Sequence, residues 1–373
     1  MIDPNYYMHR ALTLAKNGMG KTSPNPMVGC VIVDSNQNII GEGWHKQYGC
    51  SHAEVEAINN AHENNHDVRG STVYVTLEPC SHYGKTPPCA KRLVEEGVSR
   101  VIVGMRDPNQ LVNGKGVKIL EESGIKVEYA DEDIENQCKL LNKGFIFVHK
   151  YHRPFVTLKA AMSLDGKMCL DNSYSKWITG IEARTEAHVM RSENDAVLAG
   201  VNTVLNDDPE LTVRYVEGVN PLRVILDSQL RTPPDAKIIS HDNKCLIITS
   251  ENASSDKAKI LEDNGARVAR VALSHNNNHH IDIKSALEYL ASQGILTLMA
   301  EGGAGVISSF LSERLADYVK FFIAPRIFGE GKGISLNMNF ADVNSAFTLS
   351  GVEARRCGSD VIIEGRLSCS PDL

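Results

Sequence analysis

The chain contains no apolar run approaching the ~18 residues needed to cross a bilayer, so no membrane-spanning helix is expected. Its opening, MIDPNYYMHRALTLAKNG, has no apolar centre and carries Asp3. It does not read as a signal peptide but as an amphipathic helix with Tyr7, Ala11, Leu12 and Ala15 on one side. A cytoplasmic protein is the expectation. Positive charge is also short. Residues 1–149 hold 15 Lys+Arg against 18 Asp+Glu, and the remainder 24 against 28, which gives the net charge of −7. Nucleic-acid surfaces need a local excess of cations, so neither half is expected to bind one. Nine cysteines, an odd number, accompany no export signal. They argue against a disulfide framework and make local Cys/His clusters candidate metal sites. Internal repeats and long low-complexity segments are missing too.

What is present is a globular composition, 42% hydrophobic and 23% charged. With 373 residues the chain exceeds a single ordinary core of about 150 residues, so two or three domains are expected. The first part predicts a hairpin, Val28–Asp34 with Asn38–Trp44, then strands at Thr72–Leu77, Val101–Gly104 and Ile125–Tyr129 alternating with helices from His52, Cys89 and Val117. The stretch Asn142–Pro154 mixes cations, aromatics and a proline and marks the boundary. A first domain of residues 1–149 and a second of 150–373 follow, each a sheet covered by helices. In the second, strands are expected at Phe155–Ala161, Ala196–Ala199, Arg223–Asp227, Cys245–Thr249, Arg267–Val271, Leu296–Ala300, Val319–Ala324 and Asp360–Gly365. Ser274–His280 is expected to be a polar surface loop.

The informative residues are His52-Ala53-Glu54, Pro79-Cys80 and, nine residues on, Cys89. Catalytic zinc takes three protein ligands and keeps a fourth position for water. His52, Cys80 and Cys89 offer one imidazole and two thiolates, each expected where a loop or strand feeds a helix, whose positive end lowers thiol pKa values. Glu54 is then free to act as acid and base on the metal-bound water. A structural zinc site would instead close with a fourth ligand, for which Cys50 and His82 are near enough in sequence. The run His62-Glu63-Asn64-Asn65-His66 matches the H-E-x-x-H pattern, but its Asn-rich neighbours read as the solvated end of a helix.

His52-Ala53-Glu54 and Glu78-Pro79-Cys80 resemble the signature of the cytidine-deaminase-like zinc deaminases. The ten-residue span Cys80–Cys89 is longer than their usual Pro-Cys-x-x-Cys. With Asn25-Pro26-Met27-Val28-Gly29-Cys30, Asn142-Lys143-Gly144-Phe145 and Ser163-Leu164-Asp165-Gly166-Lys167, it resembles the bifunctional deaminase/reductase family of riboflavin biosynthesis. The resemblance implies a zinc-hydroxide deamination of a diaminopyrimidinone ribosylamino phosphate in the first domain. Asn25 and His45 would line the ring pocket, and His82 and Lys85 would meet the phosphate. A phosphate needs local cations even on an acidic protein; an ordinary solvated loop is the other reading of His82 and Lys85.

In the second domain the residues alone say less. Ile295–Ala300, then Glu301-Gly302-Gly303-Ala304-Gly305, then a helix from Val306, form a strand–glycine–helix turn. Such a turn either cradles a phosphate or is simply tight. The resemblance implies a dihydrofolate-reductase-like α/β fold that reduces the ribosyl group to ribityl with NADPH. Ala161, Trp177, Thr203, Asp207, Ser228 and Gly303 would contact the cofactor. Ser175, Arg191, Leu211, Arg214 and Glu301 would hold the substrate, the arginines suiting a phosphate through their fork of donors. A homo-oligomer is also implied.

Overall fold

The computed structural model describes residues 5–81, 87–109, 113–170, 178–240, 242–274, 277–334 and 338–373. His82, Lys85, Ser175 and Trp177 lie outside them. Two units divide the chain, residues 1–152 and 153–372.

In the first unit, helix α1 (Tyr6–Ala15) buries Tyr7, Ala11, Leu12 and Ala15 against a five-stranded sheet. Strands β1 (Gly29–Val33) and β2 (Ile39–Trp44) form the expected hairpin. They are followed by α2 (Ala53–Glu63), β3 (Thr72–Val75), α3 (Cys89–Glu95), β4 (Arg100–Val103), α4 (Lys115–Glu122) and β5 (Lys126–Tyr129). Two helices complete the unit, α5 (Glu132–Leu141) and α6 (Lys143–Tyr151). The sheet order is β2-β1-β3-β4-β5; β1 runs antiparallel to both neighbours, whereas β3, β4 and β5 are parallel. Helix α2 lies almost on the backbone of β2, because a Cβ at Gly43 would come within 2.3 Å of the Ala57 nitrogen. That close approach fixes where the amino end of α2 points. Most of the stretch expected to mark the boundary, Asn142–Pro154, is helix α6, which buries Phe145, Ile146 and Phe147.

The second unit follows as β6 (Phe155–Ser163), β7 (Lys167–Leu170), α7 (Ile181–Glu193), β8 (Ala196–Gly200), α8 (Val201–Asp207), β9 (Leu222–Leu226) and β10 (Cys245–Ser250). Next come α9 (Ser255–Asp263), β11 (Arg267–Val271), β12 (Leu273–Ser274), β13 (Asn277–Ile281), α10 (Ile283–Ser292), β14 (Thr297–Ala300) and α11 (Ala304–Ser312). The last strands are β15 (Tyr318–Ala324), β16 (Gly331–Gly333), β17 (Leu349–Cys357) and β18 (Asp360–Leu367). Nine strands make one sheet in the order β11-β10-β9-β8-β14-β6-β15-β18-β17. From β11 to β15 all pairs are parallel, and the β17–β18 hairpin closes the edge antiparallel. Along β8 the side chains alternate: Ala196 and Leu198 join one core, Val197 and Ala199 the other. The sheet is therefore covered on both faces, as a parallel sheet requires. The reading of Ser274–His280 as a loop is corrected, since Asn277–Ile281 pairs with β12 as a short ribbon. Polar composition misled there, because a two-stranded ribbon at a surface needs no apolar face.

Candidate active sites

The first cluster is built at the ends of β3 and α2. His52 is the N-cap of α2, and Glu54 is its second residue. Cys89 opens α3, whereas Cys80 sits in the loop that leaves β3, not at a helix start as expected. Its thiol still receives a helix-terminal donor, the Cys89 N–H, at 3.3 Å. The ligand atoms of His52, Cys80 and Cys89 all lie within 4.8 Å of one another; His52 Nδ1 is 3.2 Å from Cys89 Sγ and 3.5 Å from Cys80 Sγ. One nitrogen and two sulfurs at this spacing fit a tetrahedral zinc with an open corner. Cys50 is exposed and outside the cluster. No other such group of His, Cys, Asp and Glu occurs among the described residues.

A cavity of about 240 Å³ opens beside these atoms, lined among others by Asn25, His45, Glu54, Asp107, Asn109, Phe145 and His149. Glu54 is 3% exposed, and burial pushes its carboxyl up to about 7. The Cys80 thiol is held down, first by the hydrogen bond from the Cys89 thiol and also by His52 and the Cys89 N–H. His45 has one tautomer open to it. Its Nδ1 donates to the Ser51 carbonyl at 3.0 Å, so Nε2 accepts from the Asn25 amide at 3.1 Å. The carbonyl oxygen of Asn25 is then the end left for a ligand.

Glu78, quoted above only as part of the signature, has a structural task. Its buried carboxylate accepts N–H bonds from Gly114 at 3.0 Å, Gly116 at 3.2 Å, and Asp107 and Val117 at 3.4 Å. It ties the Pro79–Cys80 loop to the amino end of α4. The H-E-x-x-H run is not on one helix: α2 ends at Glu63, and exposed His62 pairs with Glu96 at 3.1 Å.

The second site lies at the carboxyl ends of β6, β8 and β14, where the strand order switches and ligands of open α/β sheets bind. A cavity of about 480 Å³ is lined by Ala161, Arg191, Thr203, Asp207, Leu211, Glu301 and Gly303, together with Lys159, Asn202 and Lys332. A neighbouring cavity of about 200 Å³ shares Thr203, Gly303 and Gly305 with it and adds Ser228, Arg231 and Ser309. Gly303 is the N-cap of α11. Glu301 is gripped by the Arg191 fork at 2.7 and 2.9 Å and by Lys159 Nζ at 3.1 Å. Burial alone would raise its carboxyl, but the charges of Arg191 and Lys159 prevail and hold it near 2. Arg214 stands outside this wall, half-exposed, and donates to Glu210 at 2.6 Å.

Sequence reasoning missed Asp107, Asn109, Phe145 and His149 in the first cavity, Lys159 in the second and Arg231 in its neighbour. Lys159 was within reach, since period-two alternation puts it on the same face of β6 as Ala161. Asp107 follows the carboxyl end of a parallel strand, the other available signal.

A family model described as the cytidine and deoxycytidylate deaminase zinc-binding region matches residues 1–105, and the RibD C-terminal domain matches residues 154–363. The riboflavin biosynthesis protein RibD of Aquifex aeolicus is 40% identical over 97% of this chain and 98% of its own length. The solved diaminohydroxyphosphoribosylaminopyrimidine deaminase/5-amino-6-(5-phosphoribosylamino)uracil reductase of Thermotoga maritima superposes with a TM-score of 0.83 at 38% identity, covering 97% of this chain and 98% of that one. RibD of Acinetobacter baumannii superposes with a TM-score of 0.87 at 36% identity, covering 98% of both chains. With both family models matched in order and relatives aligned along nearly its whole length, the chain belongs to the RibD family and is a bifunctional deaminase and reductase of riboflavin biosynthesis.

Proposed function

We propose that residues 1–149 deaminate the ring of a diaminopyrimidinone ribosylamino phosphate, and that residues 150–373 then reduce its ribosyl group to ribityl with NADPH. One observation carries the first half: the ligand atoms of His52, Cys80 and Cys89 converge within 4.8 Å beside a cavity that His52, Cys80 and buried Glu54 line. Zinc bound there would supply a Lewis acid that brings the pKa of water to about 7. Glu54 would take the proton of the attacking water and give it to the ring nitrogen, then take the proton of the new carbon-bound hydroxyl and give it to the amino group, which leaves as ammonia while the ring carbonyl forms. A carboxyl raised by burial suits both directions of transfer near neutral pH. Asn25 and His45 orient the ring, and His82 and Lys85 meet the phosphate by resemblance to the family.

In the second unit the nicotinamide would supply the hydride. Ala161, Trp177, Thr203, Asp207, Ser228 and Gly303 hold the cofactor, Gly303 presenting the amino end of α11. Ser175, Arg191, Leu211, Arg214 and Glu301 hold the substrate, with Arg191 and Arg214 meeting its phosphate. Among the described residues no helix is long and apolar enough to cross a membrane. Family resemblance supports a cytoplasmic homo-oligomer.

The test is metal content with product mass. Purified protein should hold about one zinc per chain. Glu54→Gln should keep that zinc while deamination falls by roughly two to four orders of magnitude. Chelation should abolish deamination and spare NADPH-dependent reduction of the deaminated compound. Wild-type deamination by Glu54→Gln would remove Glu54 from this role.

A further inference from the structure

Beside the reductase cavity runs a segment, residues 208–214, that belongs to no helix or strand. It carries Leu211 and Arg214. Leu211 has φ of 51°, a left-handed conformation in which a leucine is strained, so the segment does not keep its shape unaided. Side chains hold its backbone instead. Arg191 Nη1 donates to the Thr212 carbonyl at 3.0 Å, and Asn220 accepts the Val213 N–H at 2.8 Å. The third anchor is His188, whose Nδ1 accepts the Arg214 N–H at 2.8 Å.

His188 is buried and lies one turn before Arg191 on α7, with its ring against Tyr215 at 4.4 Å. A backbone N–H can only donate, so Nδ1 must keep its lone pair and the ring must be neutral. Burial, then the charges of Arg191 and Arg214, push its pKa down to about 4, in agreement with that. Its Nε2, which then carries the ring proton, lies 3.3 Å from Arg191 Nη1, a close approach of two donors and not a hydrogen bond. The imidazole therefore bonds the Arg214 backbone alone, while Arg191 reaches the same segment separately through the Thr212 carbonyl.

We propose that His188 is a positioning residue of the reductase, pinning the segment that bears Arg214 so that Arg214 and Arg191 face one substrate phosphate together. This rests on the reading that these two arginines meet the phosphate. Arg214 now donates to Glu210 and Thr212, so a phosphate competes with Glu210 for the side chain while the His188 anchor keeps the backbone in place.

The experiment uses full-chain variants and two substrates, the deaminated ribosylaminopyrimidine with and without its phosphate. His188→Leu removes the acceptor at similar volume; it should raise KM for the phosphorylated substrate roughly tenfold, the effect of one lost buried hydrogen bond. The kcat, the KM for the dephosphorylated substrate and NADPH affinity should stay unchanged. His188→Gln or His188→Asn, which restore a neutral acceptor, should recover the lower KM. His188→Leu combined with Arg214→Ala should be no worse than Arg214→Ala alone. Equal damage to both substrates, or failure of both amide variants to rescue, would reduce His188 to a packing residue and overturn the proposal. If Arg214→Ala raises KM and His188→Leu does not, only the His188 role falls. If Arg214→Ala itself leaves KM unchanged, the phosphate reading falls and takes this one with it.

Discussion

A single methyl group can separate the two activities. A Cβ on Gly116 would lie 1.8 Å from the Pro79 carbonyl oxygen, inside any permitted contact. Relief requires moving either α4 or the loop that carries Cys80, and Glu78 ties the two together. Gly116→Ala should therefore lower zinc retention and cut deamination at least about tenfold while reduction persists; metal content by emission spectroscopy with both assays checks it. Acid acts on the other unit. The unfolded chain protonates His188 near pH 6.5, whereas the folded chain resists until about 4, so stability is lost as pH falls through that window. Glu301 follows: it contributes stability above its ordinary value of 4.5, and that contribution is lost as pH falls toward 2. Melting of the second unit should weaken by roughly 2 kcal/mol between about pH 7 and about pH 5, and His188→Gln should flatten that slope. At this scale the His52, Cys80 and Cys89 cluster was legible because few residue types bind metal in this pattern at all. Glu78 was not, since its partners are backbone N–H groups 29 to 39 residues away.

Elements were legible where burial was dense. Strand β10 is buried throughout and was read to within a residue, whereas α5 was missed because only Ile134 and Cys138, one turn apart, face its core. Its start lies in the cap, Asp131 accepting the Ile134 N–H at 3.0 Å. Strand β17 escaped for the same reason carried further: nearly all of it is exposed, and only its register with β18 defines it. The start of β6 shows what long-range pairing adds. Arg153, just before it, donates both guanidinium arms to Asp317 at 2.6 and 2.7 Å, and Asp317 also accepts the Val156 N–H at 2.8 Å. Asp317 is fully buried and Arg153 nearly so. Asp317→Asn leaves a buried guanidinium without its counter-charge, which costs about 3–5 kcal/mol. Denaturant unfolding should show that loss in the second unit alone, with deamination retained to the same denaturant concentration.

At the scale of the whole chain, each cavity is lined by one unit alone among the described residues. The deaminase cavity takes its described walls from residues 24–149, and the two reductase cavities take theirs from 159–332. Their apolar cores are separate clusters as well. The compound that leaves one cavity keeps its phosphate, and on the proposed reading of Arg191 and Arg214 that group is what the second site would capture from solution. Two half-active proteins should therefore complement each other. Glu54→Gln alone should leave the starting compound unchanged, and Arg191→Ala alone should stop at the deaminated compound. Mixed, with NADPH, they should yield the reduced ribityl product, seen as a gain of two hydrogens by mass spectrometry. The rate should rise with the concentration of either partner, because the intermediate must cross solvent. No product from the mixture, with each variant still active in its own half-reaction, would mean that the intermediate does not reach the second site through solution.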